Sequence, residues 1–276
     1  MSYLLYCILQ QSPAGPEPEN VLGVEGEPVA LITRNDLAVA VSKISGLDLA
    51  PDLGKLLAYG KVIEKFHHKH AVIPLRFGCC LETKSQIAGL LEKNSLPYQR
   101  LLQELYGCTE MGIRFLLPGE SPGRISELKT SPLNCNREKE TRAFIPATAP
   151  PGLAYLAGRK TYYTEKDRAL KQTEELINHF RQALAGLYLQ SKTEAGELFP
   201  PPITFRAPLL SLFFLVSKNY VEPFRRAFRK ICQTESGKML LTGPWPPYNF
   251  ALLDETTISP ISPARPIQNP VVDGLA

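Results

Sequence analysis

Apolar runs with strand character dominate the first part of the chain. Residues 3–9 are apolar or aromatic almost throughout, which predicts a buried first strand. The β-branched-rich runs 28–33 and 37–42 flank a short polar turn, and they predict a β-hairpin. Residues 72–77 predict another strand, in which Pro74 favours an edge position because proline cannot donate a ladder hydrogen bond.

Helical spacing replaces strand character from Asp52 onwards. Asp52 is a suitable N-cap for an amphipathic helix, whose apolar positions are Leu53, Leu56, Leu57, Ile63 and Phe66. A second helical pattern covers about residues 83–106, where Pro97 predicts a break or kink midway and Gly107 predicts the stop. Residues 111–117 then predict a further strand.

The second half of the chain predicts longer helices around one strongly apolar strand. A helical stretch opens near residues 149–152, and its later apolar positions are spaced three or four residues apart: Thr173, Ile177, Phe180, Leu184 and Leu187. Residues 210–217 predict a central strand because both of its faces are apolar. Residues 221–232 predict a basic amphipathic helix with Phe224, Phe228 and Ile231 inward. Residues 239–242 predict a strand, and residues 243–247 a rigid turn.

The element order predicts an α+β fold with more than one core. Strands and helices are interleaved over residues 1–117, and hairpins join some of the strands, so we expect a mixed or antiparallel, ferredoxin-like sheet packed by helices. The polar, proline-rich segment 118–151 is the expected domain boundary. We therefore predict an N-terminal α+β domain over residues 1–130, a helix-rich C-terminal α+β domain over 150–252 and an extended proline-rich tail over 253–276.

Composition and charge limit the class of protein. The 276 residues are 44% hydrophobic and 21% charged, which is typical of a folded, soluble chain. A net charge of +4 is too small for the dense basic face that nucleic acid requires. The longest apolar run, residues 209–216, is less than half the roughly 18–20 residues that span a bilayer. With no signal-peptide features and no C-x-x-C among six cysteines, we expect a cytoplasmic protein with free, mostly buried thiols.

The sequence carries no familiar catalytic or phosphate-binding motif. It contains no G-x-x-x-x-G-K-[ST], no G-x-G-x-x-G after a strand and no G-x-S-x-G. Residues 235–238 slightly resemble the end of a Walker loop, but they precede a predicted strand, so a helix-to-strand turn is the better interpretation. We predict no catalytic residues and no cofactor.

One histidine cluster could bind a metal ion. It consists of His67, His68 and His70, of which only His67 and His70 share a helix face. A hydrated helix end with partly protonated imidazoles is the better interpretation, so we predict no metal site. Cys79 and Cys80 follow a strand, and we interpret them as small buried thiols rather than a redox pair.

Three other features could serve recognition. Arg76 lies within an apolar strand, where it either faces solvent or joins a structural salt bridge. The basic face of residues 225–230 could meet anions, but a solvated face is the commoner case. Trp245, the only tryptophan, could anchor an interface, but we predict that it plugs the second core.

Three strings, in this order along the chain, resemble the gas vesicle protein F/L family (GvpF/GvpL). They are VIPLRFG at residues 72–78 after an amphipathic helix, GLAYL at 152–156 and LTGPWPPY at 241–248. The resemblance covers about residues 3–251. The chain departs from the family pattern at Cys79, Cys80 and Gly158.

The resemblance implies both a fold and a role. The implied fold is two α+β domains of modified ferredoxin type. The implied role is that of a minor, non-catalytic component for the assembly of gas vesicles, the hollow protein-walled buoyancy organelles, found in the cytoplasm or on the vesicle. The implied partners are the small hydrophobic shell protein (GvpA-type) and other minor gas vesicle proteins, with neither nucleic acid nor a membrane among them.

Two other classes of function stay open. One is a ferredoxin-like RNA-binding protein, although the aromatic RNP strand pattern is missing. The other is a small-molecule enzyme or regulatory domain, which a ligand-dependent shift in melting temperature would reveal.

Overall fold

The computed structural model describes residues 2–11, 20–46, 52–116, 151–197, 208–234 and 238–251. Within these ranges lie nine strands, five α-helices and two short 3-10 turns. The protein is α+β, with two antiparallel sheets and helices, as predicted.

The first sheet is built around the N-terminal strand. Its strands are β1 (Ser2–Gln10), β2 (Ala30–Arg34), β3 (Leu37–Ile44), β4 (Val72–Pro74) and β5 (Cys80–Leu81). They lie in the order β2-β3-β1-β4, with β5 also beside β1. The predicted hairpin is confirmed, and its turn residues Asn35 and Asp36 have positive φ angles of 48° and 61°, as tight hairpin turns require.

Strand β4 is shorter than predicted. It ends at Pro74 rather than at residue 77, because a turn at Phe77 and Gly78 interrupts the pairing, which β5 resumes in the same direction further along β1. The two short strands share one neighbour where the sequence predicts a single longer strand. The edge position indicated by Pro74 is confirmed, because β4 ends the strand order.

Five helices accompany the strands. They are α1 (Leu53–Lys69), α2 (Lys84–Lys93), α3 (Ser95–Glu104), α4 (Pro151–Ala183) and α5 (Val221–Thr234). Asp52 caps α1 as predicted, with its carboxylate accepting from the Lys55 amide at 2.8 Å. Thr83 caps α2 in a capping box with Gln86.

The predicted break between α2 and α3 lies at Asn94. Pro97 stands three residues further on, in the first turn of α3, where a missing amide hydrogen costs nothing because no intrahelical partner exists there. Gly107 follows α3 with a positive φ of 68°, which confirms the predicted stop.

Both faces of the first sheet are buried. On one face, Leu5 and Ile8 of β1 pack with Ile87 and Tyr98 of the α2–α3 pair. On the other face, Leu4, Tyr6 and Leu9 belong to a second core cluster, with residues of α1. A register shift between Leu5 and Cys7 interrupts the alternation. Burial on both sides explains why β1 is apolar throughout.

The second sheet has four strands. They are β6 (Cys108–Leu116), β7 (Gln190–Glu197), β8 (Pro208–Ser217) and β9 (Lys238–Trp245), in the order β7-β8-β6-β9. The predicted central position of β8 is confirmed. Strand β7 escaped prediction because it lies at the edge and its sequence, QSKTEAGE, has no apolar alternation.

Two compact units make up the chain, and neither is continuous in sequence. One comprises Met1–Met111, Phe213–Val221 and Thr242–Ala276, and the other comprises Gly112–Leu212 and Glu222–Leu241. The predicted boundary within residues 118–151 and the predicted tail 253–276 lie almost wholly outside the described residues. The division into domains 1–130 and 150–252 therefore stays a prediction.

Candidate interaction surface

Three leucines at the start of α1 form an exposed apolar surface. Leu53 is 73% exposed, Leu56 43% and Leu57 57%. We call these three residues the leucine patch. The sequence predicts them on the buried face of the helix, and that prediction is wrong. The inward residues of α1 are instead Tyr59, Val62, Ile63, Phe66 and His67.

Helix geometry explains the outward direction of the leucine patch. At about 100° per residue, positions nine residues apart lie about 180° apart around the axis. Leu53 is therefore opposite Val62, and Leu57 is opposite Phe66, and the two later residues are buried. Leu53 and Leu57 therefore lie away from the sheet, whereas Leu56 lies at the edge of the buried face, about 20° around the axis from Ile63.

The start of α1 is held in place by polar contacts. Besides the Asp52 cap, the Lys55 ammonium lies 3.0 Å from a carboxylate oxygen of Glu25, in the 3-10 turn Val24–Gly26. Of these charged residues, Asp52 and Lys55 are next to the leucine patch in sequence. An apolar centre with a polar surround is the usual composition of a protein-binding surface.

Tyr59 fixes the rotation of α1 against the first sheet. Its hydroxyl lies 2.8 Å from the Leu5 carbonyl and 3.0 Å from the carbonyls of Leu75 and Arg76. Its ring stacks on Tyr6, with 4.9 Å between the ring centroids. Burial raises the pKa of Tyr59 well above its usual range, so the hydroxyl keeps its proton and donates. With Tyr59 fixed inward, Leu53 and Leu57 must face outward.

His67 differs from the prediction of a hydrated imidazole. It is 7% exposed, and neither ring nitrogen has a hydrogen-bond partner among the described residues. Burial first, then the charges of Lys218 and His68, lower its pKa from 6.5 to about 4. The side chain is therefore neutral at physiological pH. The Lys218 ammonium donates to the His67 carbonyl at 2.9 Å, near the end of α1.

The other two histidines stay closer to solvent. His68 is exposed and His70 is half-buried. Among the described residues, no group of three or more His, Cys, Asp or Glu side chains is placed to hold a metal ion. That the protein needs no metal stays a prediction.

The cysteines in the described ranges are free thiols, most of them buried. Cys79 and Cys80 are 5% and 8% exposed, which confirms their interpretation as buried residues. Burial raises the pKa of Cys80 to about 11, and it raises the pKa of Cys79 as well. Both are thus protonated thiols at neutral pH, and a thiol is a far weaker nucleophile than a thiolate.

The remaining recognition candidates are mostly solvent-facing. Arg76 is exposed. On α5, the predicted inward residues Phe224, Phe228 and Ile231 are buried, which is confirmed, whereas Arg226 and Lys230 are exposed and line a groove of about 400 Å³.

Trp245 does not plug a core. It is 46% exposed, whereas Pro246, Pro247, Phe250 and Ala251 of the same segment are buried. Strand β9 also runs through Trp245, so the predicted rigid turn 243–247 is in part a strand. The prediction that its ring plugs the second core is therefore wrong. The backbone of Trp245 is attached to β6 instead, because its carbonyl accepts from the Thr109 hydroxyl at 2.8 Å.

The segment after β9 is fixed by a buried carboxylate. Glu110 is 4% exposed, and its two oxygens accept from the backbone and side-chain nitrogens of Asn249 at 2.8 and 2.7 Å. Gly243 approaches so closely that a Cβ there would lie 2.6 Å from the Glu110 carbonyl oxygen. The string LTGPWPPY, which resembles the family, therefore has a structural role in attaching this segment to β6.

No helix in the described part of the chain is long and apolar enough to cross a membrane. Within the described ranges, the leucine patch is a place where three large, exposed apolar side chains lie within five consecutive residues of one helix.

A family of known proteins and two of its members match the sequence of this chain. The family described as "Gas vesicle synthesis protein GvpL/GvpF" matches residues 2–252. The chain is 27% identical over 255 residues to gas vesicle protein F of Streptomyces sp. (strain CB03234), a match that covers 91% of this chain and 99% of that protein. It is 23% identical over 262 residues to gas vesicle protein L of the same strain, covering 88% and 91% of the two chains.

Two solved structures share the fold. The crystal structure of GvpF from Anabaena sp. PCC7120 has a TM-score of 0.66 at 18% identity, covering 91% of this chain and 96% of that one. The crystal structure of GvpF from Microcystis aeruginosa also has a TM-score of 0.66, at 17% identity, covering 91% and 99%. The chain belongs to the GvpL/GvpF family of gas vesicle synthesis proteins, whose members are accessory proteins of the gas vesicle.

Proposed function

We propose that this protein acts in gas vesicle assembly by binding the small hydrophobic shell protein, and that the leucine patch is the contact surface. The observation that carries the proposal is the exposure of Leu53, Leu56 and Leu57 on one side of a well-anchored helix. The proposed role is binding rather than catalysis, in the cytoplasm or on the vesicle.

The physical need for such a partner follows from the chemistry of a hydrophobic wall. A subunit that forms a water-repelling wall exposes apolar surface before it assembles, and exposed apolar surface aggregates unless it is covered. A rigid apolar surface on an accessory protein can cover it. The fixed rotation of α1, held by Tyr59, means that the leucine patch needs little reorganisation on binding.

The size of the leucine patch suits a transient contact. Burying a leucine completely is worth roughly 1.5–3 kcal/mol, so burying these three partly exposed side chains contributes on the order of 3–5 kcal/mol. Binding also costs orientational freedom, so such a surface alone gives weak, reversible association. Reversibility is what assembly requires, because the shell subunit must leave for the wall.

The state of the thiols supports a binding role. Cys79 and Cys80, the adjacent pair considered for redox chemistry, are buried and protonated at neutral pH. They are therefore poorly suited to act as nucleophiles.

A triple variant, Leu53→Gln, Leu56→Gln and Leu57→Gln, tests the proposal. Glutamine is a good helix former of similar length, so α1 should stay folded. We expect the variant to lose co-purification with the co-expressed shell protein. We also expect it to fail to restore vesicles, viewed by electron microscopy, in a host that lacks this gene.

A matched control removes the same number of exposed leucines elsewhere. Leu22, Leu96 and Leu240 are 66%, 67% and 59% exposed, and their replacement by Gln should leave shell binding intact. If the patch variant still binds the shell protein, the leucine patch is not the contact surface. If the unaltered protein does not retain the shell protein at all, the proposed partner is wrong.

A further inference from the structure

A polar cleft lies where three elements of the first unit end. Gln10 and Gln11 come from the end of β1, Lys69 and His70 from the end of α1, and Gln103 and Tyr106 from the end of α3 and the turn that follows it. These six side chains surround a space of about 580 Å³. Buried Leu102 and half-buried Ala71 also line it. We call this site the glutamine cleft.

The six polar side chains have no hydrogen-bond or ion-pair partners among the residues that the structure describes. No hydrogen bond or ion pair joins any of them to another described residue. Their backbones are engaged instead: the Gln11 amide donates to the Asp36 carbonyl at 2.8 Å and the His70 amide to the Phe66 carbonyl at 2.9 Å. The hydrogen-bonding groups of these side chains are therefore available to a ligand.

The charge of the glutamine cleft is positive. Lys69 lines it, and no carboxylate is among the described residues that do. Burial, then the charges of Lys69 and Lys218, lower the pKa of His70, so His70 acts as a neutral hydrogen-bond donor while the ammonium groups of Lys69 and the nearby Lys218 supply the positive charge. The carbonyl end of α1 offsets only about half an elementary charge, less than the full charge of Lys69. An anionic group would find net attraction here.

The three glutamines identify the kind of anion. A side-chain amide both donates and accepts hydrogen bonds, as a peptide group does, whereas a phosphate or other small anion needs donors alone. The ring of Tyr106, 78% exposed, adds surface on which a side chain can pack. A volume of about 580 Å³ is also far larger than a small inorganic anion fills, and it lies in the usual range of pockets that bind larger ligands.

We propose that the glutamine cleft binds an acidic peptide segment of a partner protein. The amides of Gln10, Gln11 and Gln103 hydrogen-bond its backbone, while Lys69 and His70 bind its carboxylates. This site is separate from the leucine patch, which lies at the other end of α1, and it does not depend on the identity of the shell-binding surface.

Peptide binding to the full-length protein tests the proposal. The probe is a fluorescein-labelled hexapeptide of alternating Ala and Glu, and its control is the same peptide with Gln in place of Glu. In fluorescence anisotropy at low salt, we expect the Glu peptide to bind with a Kd at least about tenfold lower than that of the Gln peptide, a difference of about 1.4 kcal/mol. Added salt should weaken the binding of the Glu peptide.

Variants with the same pair of substitutions at different positions locate the site. Lys69→Gln with His70→Gln should weaken binding of the Glu peptide about tenfold or more, whereas Lys61→Gln with His68→Gln, on the exposed side of the same helix, should not. Gln103→Ala with Tyr106→Ala provides a second variant, independent of the end of α1, and it should also weaken binding.

Four results would overturn the proposal. The first is a lack of binding by the Glu peptide, and the second is equal binding of the two peptides. The third is an equal loss in the Lys61/His68 control, which would indicate diffuse attraction to the helix. The fourth is complete displacement of the peptide by millimolar inorganic phosphate, which would indicate a site for small anions instead.

Discussion

Helices α1 and α5 are both amphipathic by sequence, yet only α5 buries every apolar residue predicted to face inward. In α5, Phe224, Phe228 and Ile231 are 0%, 7% and 5% exposed. In α1, Ile63 and Phe66 are buried, but the leucine patch is not. The two helices differ in how their apolar residues are arranged around the axis.

Angular position explains this difference. Relative to Phe224, the residues Phe228 and Ile231 lie within about 40° on either side, so α5 has one narrow apolar stripe. The apolar residues of α1 instead cover a continuous arc of about 220°, with Val62 and Phe66 at one end and Leu53 and Leu57 at the other. A helix can bury only part of so wide an arc against a sheet, so the rest stays exposed until a partner covers it. A narrow apolar stripe therefore indicates a core helix, and a much wider one indicates a core helix with an interaction surface.

The largest expected effect is a difference in stability between a variant in the buried stripe of α5 and a variant in the leucine patch. Phe224→Ala should lower the free energy of unfolding by about 3–5 kcal/mol, because it leaves a cavity at a fully buried position. Leu57→Ala should change it by no more than about 0.5 kcal/mol, because that side chain already contacts water. Urea denaturation followed by circular dichroism measures both. Equal losses would mean that the leucine patch is packed within the protein, as the stripe of α5 is.

The next effect is a loss of stability in acid, which we expect from the buried His67 near the end of α1. The pKa of His67 is about 4 in the folded protein against 6.5 for a free imidazole, so the unfolded chain binds a proton first as the pH falls. The free energy of unfolding should therefore decrease by about 3 kcal/mol between pH 6.5 and 4, and this loss should level off below pH 4.

Two histidine variants isolate this contribution from that of other titrating groups. His67→Leu should remove it, so that the variant is less sensitive to acid than the unaltered protein. His68→Leu, at the adjacent exposed position, should keep it. Urea midpoints measured across this pH range provide the comparison. The same acid sensitivity in His67→Leu as in the unaltered protein would exclude His67 as its source.

A smaller effect compares two buried tyrosines on opposite faces of the first sheet. Tyr59→Phe should cost about 1–2 kcal/mol, since it removes the one hydroxyl hydrogen that the carbonyls of Leu5, Leu75 and Arg76 share as donor. The Tyr98 hydroxyl is buried without a partner among the described residues, so Tyr98→Phe should be neutral or stabilising. Thermal melts of the two variants test this order, and a reversal would show that Tyr59 does not fix the rotation of α1.

The smallest effect concerns the first turn of α1. Asp52→Ala removes the cap on the Lys55 amide, and it should cost about 1 kcal/mol. The Lys55–Glu25 ion pair is largely exposed to solvent, so Lys55→Ala should cost less than that. If Asp52→Ala also weakened binding of the shell protein, the leucine patch would depend on a fully formed first turn. Urea denaturation and co-purification together distinguish the two effects.

Sequence patterns predicted those elements whose signals are local. The Asp52 cap, the hairpin between β2 and β3 and the apolar stripe of α5 all follow from residues within a few positions of one another. Strand β1 was also predictable, because burial on both faces leaves an unbroken apolar run. The family strings further predicted membership of the family.

Other features depend on partners far away in sequence. Strand β5 has two residues, and it exists only because β1 pairs with it. Strand β7 is polar, and its hydrogen bonds to a neighbour replace the apolar signal. The backbone of Trp245 is bonded to Thr109, 136 residues away, and no local pattern encodes such a contact.

The candidate surfaces also combine features set by local sequence with features set by long-range contacts. By itself, the sequence determined that the apolar arc of α1 is too wide to be buried on one side, since the spacing of Leu53, Leu57, Val62 and Phe66 places the first pair about 180° from the second. Only the tertiary structure decided which side is buried, because that choice depends on Tyr59 reaching the carbonyls of Leu5 and Leu75 across the sheet. The glutamine cleft likewise exists only where the ends of β1, α1 and α3 meet. Local spacing sets the directions of side chains within an element, whereas long-range contacts set which of those directions meet solvent.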